Sequence, residues 1–123
     1  MQFSLPGQLR GPECNPVMQQ AIALRKRLEP WFETIDSGQF TELGIALRVD
    51  GSLGSFGAEG IENIAVGDSR IECDVVVADK GWSSLSDEEI ASILQARVFN
   101  AIDVCLRTAG IVYDAETLAS AAK

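Results

Sequence analysis

The chain is predicted to adopt an α+β fold, a three-stranded antiparallel meander packed on a kinked N-terminal helix and a long C-terminal helix. Two stretches, 15–35 and 85–111, carry apolar residues at helical spacing. Three shorter stretches between them are strand candidates, the first and third alternating apolar and polar at period two. Helix, strands and helix follow one another without interleaving, which groups the strands into one antiparallel sheet and puts the helices on one of its faces.

Residues 1–14, with Pro6, Gly7, Gly11 and Pro12, read as an irregular lead-in that holds at most a short strand at Gln2–Leu5. Asn15 and Pro16 then start a helix, Asn as N-cap and Pro at the first helical position, where a missing N–H costs nothing. Ala21, Leu24, Leu28, Trp31 and Ile35 line one face of that helix. Pro30 falls inside the pattern and is expected to kink the helix or split it in two. The basic run Arg25, Lys26, Arg27 is a solvated helix face. It is too short for a nucleic-acid footprint in so acidic a chain.

Asp36-Ser37-Gly38 ends the helical region. The first strand, Leu43 to Asp50, places Ile45, Leu47 and Val49 on one face. Ile61 to Val66 is the second strand and Arg70 to Ala78 the third. The tight turn Gly67-Asp68-Ser69 makes the second and third an antiparallel hairpin. In the third strand Ile71, Cys73, Val75 and Val77 point inward, and Arg70, Glu72 and Asp74 point outward.

The long helix has both ends written in. Ser86 is the N-cap, Glu89 completes a capping box, and Leu85 and Ile90 form a hydrophobic staple. Asp87, Glu88 and Glu89 put negative charge at the positive end of the helix dipole. Gly110 supplies a left-handed closing position, with Leu106 meeting Ile111. About 23 residues at 1.5 Å each span roughly 34 Å. Residues 114–123 form a short helix capped by Asp114 or a frayed tail.

One domain of 123 residues is long enough to bury a core without metal or disulfide staples. Its three cysteines form no CxxC pattern, and Cys73 and Cys105 fall on inward faces, which points to a reducing cytoplasm. No apolar run approaches the roughly 18 residues that cross a bilayer. The N-terminus has neither the basic nor the apolar region of a signal peptide. The chain has no histidine. A Ser-His-Asp or Cys-His site is therefore absent, and the commonest metal ligand is missing. No catalytic residue, metal ligand or cofactor is assigned.

Charge is distributed unevenly. Residues 59–89 hold nine acids against two bases, a net of −7 out of a total of −8. That segment covers the hairpin and the first turn of the long helix. A concentrated acidic surface steers a basic protein partner and repels nucleic acid and anionic membrane. The candidate partner-binding residues are Glu59, Glu62, Glu72, Asp74, Asp79, Asp87 and Glu88, with Trp82 and Phe56 as apolar anchors. Trp82 has a competing role in packing over the start of the long helix. The glycines at 51, 54, 57 and 60 suggest a phosphate loop, but a strand follows them instead of a helix, and Glu59 and Glu62 would repel phosphate. They read as a hairpin connection with Phe56 and Leu53 at its tip. Glu72 and Asp74 share a strand face, yet no calcium-loop spacing accompanies them.

The string IECDVVVADKGWSSLSDEEIASILQARVFNAIDVCLRTAG runs from strand through acid and Trp to a capped amphipathic helix. With the size, the acidity and the lack of histidine, it resembles the small immunity proteins of bacterial polymorphic and contact-dependent toxin systems, over roughly residues 43–110. The resemblance implies a cytosolic protein that binds a cognate toxin domain, often a basic nuclease, and blocks its active site or substrate surface. The expected function is thus a non-catalytic protein-binding domain that neutralises a basic toxin domain. The alternatives are a homo-oligomeric structural or adaptor subunit, a homodimer included, and a small carboxylate-based enzyme.

Overall fold

The computed structural model describes residues 1–8, 15–50, 60–78 and 82–123. The element order is β1 (Gln2–Ser4), β2 (Gly7–Gln8), α1 (Asn15–Thr34), β3 (Glu42–Asp50), β4 (Gly60–Val66), β5 (Arg70–Ala78), α2 (Asp87–Thr108) and α3 (Ala115–Ala121), with a 3-10 turn at Trp82–Ser84 before α2. The α+β class holds, but the sheet is not an antiparallel meander. Its strand order is β1-β3-β5-β4, with β2 pairing further along β3. β1, β3 and β5 run parallel, and only β4 is antiparallel.

The correction has a physical reason. β3 and β5 pair over nine residues, from Glu42↔Arg70 to Asp50↔Ala78. This sets Leu43, Ile45 and Leu47 beside Ile71, Cys73 and Val75 and puts the two most apolar strands in the middle of the sheet. β4 carries Glu62 and Asn63 and is mostly exposed, so it goes to the edge. Nine residues separate Asp50 from Gly60, more than enough chain to cross two strand spacings of roughly 10 Å. The hairpin of β4 and β5 stands as expected, with a register shift between Glu62 and Ala65 where Asn63 takes φ 55°. The lead-in is not wholly irregular. β1 joins β3 through α1 as a parallel crossover unit and delivers Phe3 and Leu5 to the core.

All three helices pack into one core with the inward side chains of β1, β3 and β5. Val17, Ala21, Leu24, Leu28, Trp31 and Phe32 form the buried stripe of α1. Pro30 neither splits nor ends that helix, which continues to Thr34 with Pro30 exposed on its outer side. The Pro30 nitrogen cannot donate to the Lys26 carbonyl, and solvent can take up the free acceptor there.

α2 has the ends its sequence specifies. The Glu89 N–H donates to Ser86 Oγ at 3.2 Å, and the Ser86 N–H donates to Glu89 Oε1 at 3.3 Å. At the other end Ile111 donates to the Leu106 carbonyl at 2.8 Å and Gly110, at φ 75°, to that of Arg107 at 3.0 Å. This is a complete Schellman closure. The tail is a helix. Asp114 caps α3, Leu118 is buried, and Trp31 Nε1 donates to Thr117 Oγ1 at 2.9 Å. No helix among the described residues is long and apolar enough to cross a membrane.

Candidate functional site

Strand alternation divides the side chains of the sheet between two faces. The inward set lies under the helices. The outward set of β3 is Glu42, Gly44, Ala46 and Arg48, and that of β5 is Arg70, Glu72, Asp74 and Val76. None of these residues joins the core cluster beneath the helices, although Val76 is itself buried, at 3% exposure. β1 adds Gln2 and Ser4 to this face, and β4 adds Glu62.

Parallel pairing of β3 with β5 puts Glu42 beside Arg70, Gly44 beside Glu72, Ala46 beside Asp74 and Arg48 beside Val76. The charges knit together across that register. Arg70 donates from Nε to Glu72 Oε2 at 3.2 Å and from Nη1 to Glu42 Oε2. Arg48 Nη2 donates to Glu62 Oε2 at 2.7 Å and stands 3.7 Å from Asp74 Oδ2. Asn63 Nδ2 donates to Asp74 Oδ2 at 2.8 Å, so the bulge that puts Asn63 at positive φ also turns its amide onto Asp74. Hydrogen bonds to Glu72, and then to Glu42, push the Arg70 guanidinium above its ordinary pKa.

Gly44 and Ala46 lie low between these long side chains. A recess of about 220 Å³ forms above them, lined by Pro6, Asn63, Arg70, Glu72 and Asp74 as well. A second recess of about 470 Å³ lies where β1 meets α1, lined by Glu29, Glu33, Glu42 and Arg70. Arg70 borders both.

The structure brings together part of the predicted site and separates the rest. Glu62, Glu72 and Asp74 stand on the open face, with Glu62 directly across from Asp74. They are not a bare acidic patch, because Arg48 and Arg70 each bridge two carboxylates. Asp87 and Glu88 are exposed at the start of α2. They belong to the helix layer, on the other side of the sheet from Glu72 and Asp74. Trp82 is 1% exposed and packs in the core, so of its two expected roles it takes the packing one and cannot anchor a partner at the surface. Its indole Nε1 finds no hydrogen-bond partner among the described residues. Phe56, Glu59 and Asp79 lie outside the described residues, as does the glycine loop up to residue 59.

Arg48, Arg70, Glu42, Asn63 and Gly44 belong to the open face and were not among the expected site residues, although Arg70 was expected to point outward, as it does. The outward placement of Arg48 and Arg70 could be read from alternation. Which acids they meet follows from the parallel register, which alternation does not give.

Two further clusters complete the chemistry. Tyr113 donates from its hydroxyl to Asp103 Oδ1 at 2.6 Å, and Arg107 Nε donates to the same oxygen at 2.8 Å. Tyr113, and then Arg107, hold the Asp103 carboxyl below its usual range. Burial, and then Asp103, push the Tyr113 hydroxyl up to about 12. Cys73 and Cys105 are free and buried on facing elements. A hydrogen bond with Cys105, and then burial, push the Cys73 thiol up and keep it protonated. Among the described residues no group of three acids, cysteines or histidines is arranged to hold a metal ion. No protein-family model, no curated protein and no solved structure matches this chain.

Proposed function

We propose that this chain is a non-catalytic protein-binding domain that acts as a bacterial immunity protein, neutralising a toxin domain with a basic surface in the cytoplasm. The observation that carries the reading is the sheet face left uncovered by the helices. Four carboxylates, Glu42, Glu62, Glu72 and Asp74, stand there against two arginines. Strands and ion pairs hold those charges in place before any partner arrives, and a preorganised surface loses little freedom on binding. The excess of carboxylates suits a basic protein and opposes nucleic acid and anionic membrane. The free, buried thiols of Cys73 and Cys105 fit a reducing compartment.

The test is co-expression with the toxin-like product of the neighbouring gene. The reading predicts survival of the cells and a stoichiometric complex on size exclusion, with binding that weakens as salt rises, since exposed charge is screened within about 8–10 Å at ordinary ionic strength. Death of the cells and no complex would contradict it.

A second reading rests on β4. This edge strand exposes Ile64 and Val66, each 41% accessible, and a homo-oligomer could cover them. The bulge at Asn63 and the charge of Glu62 work against edge-to-edge pairing. A symmetric oligomer by solution mass, with no other partner, would favour this second reading.

A further inference from the structure

Within the binding role proposed above, we infer that the partner docks on the open sheet face and seats one arginine or lysine side chain in the Gly44–Ala46 recess, between Glu72 and Asp74.

Three observations lead there. The first is shape. Gly44 and Ala46 leave a recess of about 220 Å³ on this face, enough for one extended side chain, and the carboxylates of Glu72 and Asp74 on its rim favour a cationic one. The second is the placement of the carboxylates. Glu72 and Asp74 are two residues apart on one strand face, so their Cα atoms stand roughly 6.6 Å apart. A guanidinium fork or an ammonium can bridge that span. Both carboxylates are already steered by neighbours, Glu72 by Arg70 at 3.2 Å and Asp74 by Asn63 at 2.8 Å with Arg48 at 3.7 Å. An ionised carboxylate accepts at about four sites, so both keep capacity toward the recess.

The third observation is charge complementarity. Among the described residues the face carries Glu42, Glu62, Glu72 and Asp74 against Arg48 and Arg70, an excess of two negative charges. A second copy of this chain would bring the same excess. A basic protein brings the opposite one. The acids of the first α2 turn are not part of this footprint. They lie in the helix layer, and Glu89 is engaged in the capping box.

The test uses the full chain, labelled with ¹⁵N, and two end-blocked tripeptides, Gly-Arg-Gly and Gly-Gln-Gly. The arginine peptide is expected to shift the amides of Gly44, Ala46, Asn63, Glu72 and Asp74 in the millimolar range, and the glutamine peptide to shift none. Ala46→Leu fills the recess while leaving every charge in place. It should weaken the arginine response at least tenfold. Asp74→Asn keeps the shape and removes one charge, and should weaken the response several-fold. If thermal melting finds Ala46→Leu unfolded, the Asp74→Asn result decides.

Shifts centred on Asp87–Glu89, or a response unchanged in the variants, would overturn the assignment. Shifts on this face that depend on protein concentration without peptide would mean that a second copy occupies it, which also overturns the assignment. The co-expression test separates the two levels. A chain that neutralises its toxin yet ignores arginine loses the recess and keeps the role. A chain that binds arginine yet neutralises nothing loses the role.

Discussion

A Cβ on Gly44 would stand 3.0 Å from Nη2 of Arg70 and 3.3 Å from Ser4 Oγ. The guanidinium of Arg70 lies over Gly44 as it reaches Glu42, its neighbour on β3, and has that room because residue 44 has no side chain. One glycine on β3 thereby sets where Arg70, the cation that borders both recesses, lies.

Replacing Gly44 by Ala should displace Arg70 from Glu42 while leaving the fold intact. The atom in the way is the end of a flexible side chain, so global stability should change by less than about 1 kcal/mol in either direction. The Arg70 Nη1–H resonance, whose hydrogen bond goes to Glu42, reports the outcome. It should exchange faster with solvent in the variant, and an unchanged rate would mean that Gly44 does not position Arg70.

The ends of α2 should each be measurable. Ser86→Ala removes the cap and half of the capping box and should cost about 1 kcal/mol in urea unfolding. Gly110→Ala forces a side chain into φ 75° and should cost roughly 1–2 kcal/mol. The two sites lie at opposite ends of a 22-residue helix, so their effects should add.

Docking of α3 depends on the bond from Trp31 to Thr117. Thr117→Val should lower hydrogen-exchange protection over residues 115–121 by the loss of one hydrogen bond, about 1 kcal/mol. The core amides of β3 and β5 should keep their protection. Equal loss in both regions would show that α3 unfolds only with the whole molecule.

The Asp103–Tyr113 pair gives stability two pH limits. Asp103 has a lowered folded pKa, so its contribution is full above the unfolded value near 4 and is lost as pH falls through the folded value. Tyr113 is raised from 10 to about 12, so its contribution is full below about 10 and is lost as pH rises toward 12. Asp103→Asn should flatten the acid limb of a stability–pH curve, and Tyr113→Phe the alkaline limb. An alkaline limb that persists in Tyr113→Phe would assign it to another group.

Much of this architecture was legible in the sequence because it is local. The caps of α2, the turn of the β4–β5 hairpin and the inward positions of β5 each follow from spacing within a few residues. The neighbours of β3 did not follow. Alternation in Leu43–Asp50 gives the faces of a strand but not its partner, and the pairing with β5 came from burying two apolar strands side by side. The open face suffered for the same reason. Arg48 meets Glu62 and Asp74 only once β3 and β5 align in parallel, so a set of acids contiguous in sequence looked unpaired. The chain also passes from the sheet to the helix layer between Ala78 and Asp87, which separates Asp74 from Asp87 despite their closeness in sequence. In the sequence Pro30 reads as a kink or a split because its missing N–H is costly in a helix interior; α1 runs through it unsplit, and its exposed position lets solvent take up the freed carbonyl.

One comparison of association rates decides between the two acidic surfaces. The test mixes the chain with the proposed partner, a toxin domain with a basic surface, at low and at physiological salt. Three forms are compared: the native chain, Glu72→Lys with Asp74→Lys, and Asp87→Lys with Glu88→Lys. If the open face receives the partner, the strand pair of reversals slows association by on the order of tenfold or more and removes most of the salt dependence, while the helix pair changes the rate by less than about twofold. Slowing by the helix pair alone, or a native rate indifferent to salt, would contradict the assignment of binding to the open face.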